Sequence, residues 1–194
     1  MHARLSAYYA TRHNLMGMEF NQFGHNLGWR LLAKAFTSGV GYLLNPVSST
    51  RYFEFPFALS CLPAKPERSL DVSSPRLFSL YIAKKRIAPS ILMINPDLRD
   101  LDHTSNVIER LGIESIQLKN CGVEALLSQQ EMYDCIWSIS VVEHIDGDCN
   151  DTQAIQRMYG ALKKGGRLIL TVPVDRHFWD EYRDVDQYGS QGKP

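Results

Sequence analysis

Two stretches decide the fold: Tyr133–Asp148, YDCIWSISVVEHIDGD, and Leu162–Val174, LKKGGRLILTVPV. In the first, the apolar run Cys135–Ser138 reads as a short strand that opens into an acidic loop. In the second, a Gly-Gly turn at Gly165 and Gly166 leads into a strand over Arg167–Val172. Between them Ala154, Ile155, Met158, Tyr159 and Leu162 recur at helical spacing, which predicts a helix over Asp151–Lys163 with one buried face. Asp151 is placed to cap its start, and Gly165 stands where a helix C-terminal glycine belongs.

The same rhythm holds upstream. Arg68–Lys85, RSLDVSSPRLFSLYIAKK, reads as a strand at Ser69–Val72, a turn, and a helix at Arg76–Arg86. Further strands are predicted at Ile91–Ile94 and Ser115–Leu118, with helices at Thr104–Leu111 and Val123–Gln129. Gly112 is a natural helix terminator. Alternating strands and helices, with mostly apolar strands, predict a parallel sheet covered on both faces. Right-handed crossovers then leave few topologies.

Residues 1–46 read as helical and aromatic-rich. Phe20, Phe23, Leu27, Leu31, Leu32, Ala35 and Phe36 share one helical face. Gly24 and Gly28 weaken that helix by about 1 kcal/mol each relative to Ala. A second helix is predicted over Ser48–Ala58, which Pro56 would kink or end. Leu62–Pro66 is a Pro-rich linker, so the expected division is an N-terminal helical extension or lid over 1–62 and an α/β domain over 63–194.

Composition excludes several classes. The formal net charge is zero with 21 basic and 21 acidic residues, which gives no electrostatic reason for a nucleic-acid partner or an anionic membrane. The four cysteines form no C-x-x-C pair, so no metal site is expected and reduced thiols in a cytoplasmic protein are the simplest reading. The longest apolar segment, Leu31–Leu44, is too short to span a bilayer and contains Lys34.

The motifs above resemble those of the class I S-adenosylmethionine (SAM) methyltransferases. The resemblance covers about residues 50–175. It rests on the YDCIW strand with its V-V-E-H loop, the L-K-K-G-G turn before the fifth strand, and Asp71 at the end of the first strand. It implies a Rossmann-like parallel sheet in the order 3-2-1-4-5, SAM as cofactor, and a crevice between the first and fourth strands. It also implies a methyl acceptor that is a small molecule or glycan.

Site residues follow from the same likeness. Asp71 holds the acidic position of the first motif, and Ser73, Pro75 and Leu77 stand where that motif has glycines. Pro75 cannot take φ > 0 and donates no N–H, so the loop is expected to leave the family's usual path. Hydroxyls of Ser73 and Ser74 would replace lost backbone contacts to the cofactor. Asn95 or Asp97 would meet the ribose hydroxyls, and Asn120 with Cys121 would flank the adenine. Ser138 and Ile139 would lie along the cofactor's amino-acid end. Glu143 and His144 would face the acceptor, with His144 a competent base near neutral pH or a residue that holds the loop.

Residues 175–194 are too short and polar for the helix and antiparallel hairpin that the family adds after the fifth strand. The expectation is therefore a domain incomplete at its C-terminus, with a second copy or another partner covering the exposed strand edge. Arg176, His177, Trp179, Asp180, Glu181 and Tyr182 would then stand near the acceptor side or form a solvated tail. A methyltransferase-like scaffold without catalysis is the alternative function. A nicotinamide-dependent oxidoreductase is disfavoured because no G-x-G-x-x-G follows the first strand.

Overall fold

A computed structural model describes residues 8, 11–145, 149–174, 176 and 177. The acidic loop at 146–148, and Trp179, Asp180, Glu181 and Tyr182, lie outside the described residues. Among the described residues, five strands form one sheet in the order β3-β2-β1-β4-β5: β1 (Ser69–Val72), β2 (Ile91–Asn95), β3 (Ile116–Asn120), β4 (Tyr133–Ile139) and β5 (Leu162–Thr171). All pairings are parallel, with Asp71 level with Met93 on one side and Trp137 on the other. The predicted topology is the observed one. The reversal of strand order falls between β1 and β4.

The helices are α1 (Met18–Leu32), α2 (Phe36–Leu44), α3 (Arg51–Ser60), α4 (Arg76–Lys84), α5 (Leu98–Leu111) and α6 (Asp151–Ala161), with 3₁₀ turns at Val123–Ser128 and Val142–His144. The two faces of the sheet carry separate cores. Cys135, Trp137 and Ile139 of β4 pack with α1, α3, α4 and α5, whereas Ile136 packs with α6 and the first 3₁₀ turn.

The N-terminal helices contribute to the first of these cores. Phe20, Phe55 and Phe78 form an aromatic cluster in which Phe55 is tilted against Phe20 and Phe78 at ring-centroid distances of 5.2 and 5.6 Å, and Trp137 meets Phe78 edge-on at 5.7 Å. All four are essentially excluded from solvent, and each such side chain contributes about 2–3 kcal/mol on burial. Helices α1 and α2 pack backbone to backbone: a Cβ on Gly28 would sit 2.9 Å from the Gly39 carbonyl oxygen and 2.8 Å from Leu43 Cγ. The glycine that weakens α1 as an isolated helix is thus what lets α2 approach.

Several predicted boundaries move, each for a local reason. The single helical face through Phe36 is broken, because Ala35 is extended (φ −152°, ψ 77°) and leaves Phe36 72 % exposed. Pro56 does not end α3, which runs on to Ser60; the lost backbone bond is offset by burial of Phe55, Pro56 and Ala58. Helix α5 starts at Leu98 rather than Thr104, since the Asp97 carboxylate accepts from Arg99 N at 2.9 Å and Asp100 N at 3.3 Å. Val123–Ser128 is a 3₁₀ turn rather than an α-helix, with Glu124 folded back onto Gly122 N at 2.8 Å. Asn150, not Asp151, caps α6, through a reciprocal capping box with Gln153. Gly165 (φ 83°) lies within β5, four residues past the end of α6, and does not terminate that helix. Gly112 (φ 58°) does cap α5 as predicted.

Among the described residues no helix is long and apolar enough to cross a membrane, and no cluster of three or more His, Cys, Asp or Glu could hold a metal.

Candidate functional site

The exits of β1 and β4 are stitched together by predicted site residues. Asp71 is fully buried; its Oδ1 accepts from Ser74 N at 2.9 Å, and its Oδ2 accepts from the Ser79 hydroxyl. Trp137 Nε1 donates to Ser79 Oγ at 3.2 Å, so the indole closes the network from β4. Burial pushes the Asp71 carboxyl up to about 6, with the Ser79, Ser74 and Trp137 donors opposing it. Both carboxylate oxygens are engaged inside the protein, which makes Asp71 the tether of the loop after β1.

That loop turns left-handed without glycine. Ser73 has φ 53°, a conformation that costs a non-glycine residue about 1–2 kcal/mol. Its N–H and hydroxyl both donate to the Ile94 carbonyl, at 2.9 and 3.2 Å, which holds the turn in place. Pro75 (φ −55°, ψ 118°) stands extended as the residue before α4, so its ring and missing N–H do not disturb the helix. Ser74 Oγ accepts from Ile139 N at 3.0 Å, and Ser138 Oγ donates to the Val72 carbonyl at 3.3 Å. Asp71, Ser73, Ser74, Ser138 and Ile139 are therefore brought together at the switch point.

A second group gathers at the exits of β2 and β3. Asn95 Oδ1 accepts from Asp97 N at 2.9 Å, its Nδ2 donates to Asp100 Oδ2 at 3.1 Å, and the Asp97 carboxylate caps α5. Asn120 Nδ2 donates to the carbonyls of Asn95 and Pro96, each at 3.0 Å. Cys121 is half-buried beside them, its thiol pushed up by burial against the pull of Lys119. Glu143 and His144 lie beyond β4 in the second 3₁₀ turn, 3.9 Å apart, with the His144 side chain 40 % exposed. Arg176 and His177 are exposed.

Sequence reading missed four participants. Arg76, the first residue of α4, pairs with Asp100 of α5 and reaches His103 Nδ1 at 2.6 Å; Ser38 of α2 lies 3.3 Å from the other His103 nitrogen. Nothing but the proximity of the two helix starts announces this pair. The Tyr42 hydroxyl of α2 is buried with no partner near Arg76 and Asp100, and burial pushes it up to about 12. The fourth is Glu54 of α3, at the exits of β4 and β5. Burial works against its charge, but the Ser140 and Thr171 hydroxyls and the Arg51 guanidinium outweigh that and hold the carboxyl below its ordinary value.

The methyltransferase domain family model matches residues 73–170, just over half of the chain, from the turn after β1 to the end of β5. The chain belongs to that family. YcgJ from Bacillus subtilis superposes with a TM-score of 0.51 at 16 % identity, over 59 % of this chain and 47 % of that one. A putative methyltransferase from Bacillus halodurans C-125 gives 0.51 at 15 % identity, over 60 % and 49 %. A putative S-adenosylmethionine dependent methyltransferase from Listeria monocytogenes gives 0.50 at 18 % identity, over 61 % and 51 %. At such identities the likeness is one of fold, and this methyltransferase domain spans about half the length of each. No curated protein matches the chain.

Proposed function

We propose that this chain is the cofactor-binding core of a SAM-dependent methyltransferase whose acceptor is a small molecule or glycan. The observation that carries the reading is the union of the β1 and β4 exits through Asp71, Ser74 and Ile139, with the left-handed turn at Ser73 beside it. The residues present fit an adenosyl cofactor. The loop after β1 turns left-handed at Ser73 without glycine, and the buried, unpartnered Tyr42 hydroxyl beside Arg76 and Asp100 is a polar atom that a ligand hydroxyl would satisfy.

SAM would supply an electrophilic methyl group on a sulfonium. In this assignment Ser73, Ser74, Ser138 and Ile139 flank the cofactor's amino-acid end. Asn95 or Asp97 meets the ribose, and Asn120 and Cys121 lie along the adenine. Asn95 and Asp97 now bond to α5 and to each other, so their ribose contacts require exchange of partners. Glu143 and His144 face the acceptor. His144 takes the acceptor's proton, and the rest of the acceleration comes from holding nucleophile and methyl group in line. We place the protein in the cytoplasm, with residues 1–62 as a helical extension that shapes the pocket.

The alternative, a binding module without catalysis, draws on the same internal bonds of Asn95, Asp97 and Asn120. Calorimetric titration with S-adenosylhomocysteine separates the cases. Micromolar binding that is lost in Ser73→Val supports the cofactor site; a folded, monodisperse protein that binds none sinks it. Turnover on an acceptor, abolished by His144→Ala while binding persists, then distinguishes the enzyme from the scaffold.

A further inference from the structure

Three donors converge on one carboxylate where α3 meets the exits of β4 and β5. The Thr171 hydroxyl donates to Glu54 Oε1 at 2.8 Å, the Ser140 hydroxyl donates to the same oxygen, and Arg51 pairs with Oε2. Ser140 N donates in turn to the Thr171 carbonyl at 2.9 Å and lies 3.0 Å from Thr171 Oγ1. The ring of contacts is closed: Thr171 receives from Ser140 and gives to Glu54, which also receives from Ser140.

Ser140 is one of only a few non-glycine residues at positive φ (48°) among those described, and it is the residue at which the chain leaves β4. Two residues later comes the Val142–His144 turn. A left-handed serine at that point persists only if its surroundings over-determine it. Glu54 does so from another part of the chain, 86 positions earlier.

We propose that Glu54 is a positioning residue that clamps the β4 exit loop, Ser140 to Ile145, in the conformation used for cofactor and acceptor. The N-terminal helices are then part of the site, contributing a carboxylate that holds the loop from outside the matched domain. What the loop serves rests on the methyltransferase reading; the clamp itself does not.

The test uses the full chain as wild type, Glu54→Ala, Glu54→Gln and Thr171→Val, read by amide hydrogen exchange and by calorimetry with S-adenosylhomocysteine. Glu54→Ala is expected to speed exchange across Ser140–Ile145 about tenfold or more, with β1 and β2 unchanged, and to weaken S-adenosylhomocysteine about fivefold or more. Glu54→Gln keeps an oxygen acceptor for the two hydroxyls and falls between. Thr171→Val removes one donor, keeps the carboxylate, and should loosen the same segment; it decides the matter should Glu54→Ala not fold. Exchange that is unchanged at Ser140–Ile145, or raised equally through the whole sheet, overturns the clamp. Local loosening with unaltered affinity overturns the positioning role. A wild type that binds no S-adenosylhomocysteine overturns the methyltransferase reading, and the exchange arm still decides the clamp.

Discussion

The Asp71 carboxylate accepts from the Ser74 backbone N–H at 2.9 Å and has no exposure to solvent. Its position over the loop after β1 has a consequence for stability. In the folded chain burial raises it from 3.8 to about 6. Below 3.8 it is protonated whether folded or not, and its contribution is fully present. As pH rises towards about 6 the unfolded chain loses the proton first, so that contribution is lost, by about 3 kcal/mol in all. Urea unfolding across this window should show the wild type losing ground to Asp71→Asn, which has no proton to release. A constant difference between the two would refute the buried-acid account.

Ser73 takes the left-handed conformation at a cost of about 1–2 kcal/mol. Ser73→Gly removes that strain but also the hydroxyl bond to Ile94, and should leave the melting temperature nearly unchanged. Ser73→Val adds a branched Cβ at the same φ and should lose about 2 kcal/mol. Equal melting temperatures for the two variants would show that the turn is not held left-handed in solution.

Phe55 packs between Phe20 and Phe78, so its truncation opens a cavity in the core under β4. Phe55→Ala should cost about 3–5 kcal/mol by thermal or denaturant unfolding. For the same reason a fragment of residues 63–194 should lack a cooperative transition. A sharp melt from that fragment would show that the N-terminal helices are dispensable.

Gly28→Ala offers a check on the α1–α2 pair. The added Cβ would lie 2.9 Å from the Gly39 carbonyl oxygen, which is backbone and cannot swing away. Alanine is the better helix former by about 1 kcal/mol, yet overpacking should outweigh this and leave a net loss of about 1–2 kcal/mol. A gain in melting temperature would mean that the two helices stand further apart than described.

The central strands were legible as short apolar runs between turn signals, because a parallel strand buried on both faces needs little beyond that, whereas their order came from the resemblance to the methyltransferase family. Helix ends were less so. The start of α5 was missed because Leu98, Arg99 and Asp100 present no apolar stripe, and only the capping carboxylate of Asp97 reveals it. At the site, Asp71, Ser73 and Ser74 could be singled out because they stand where the family's first motif follows a strand end. Arg76, Asp100 and Glu54 could not, since their partners lie 24 to 117 positions away.

What the sequence determined by itself was therefore the local alternation: which segments extend, which coil, and which residues emerge at the strand exits. Those properties depend on neighbours within a few positions, through hydrophobic period, caps and turn chemistry. Only the tertiary structure decided that α1 and α3 share a core with Trp137, that Asp71 spends both oxygens inside the loop, and that Glu54 meets Ser140 and Thr171. Those contacts are set by packing, which brings together side chains whose separation along the chain carries no periodic signal.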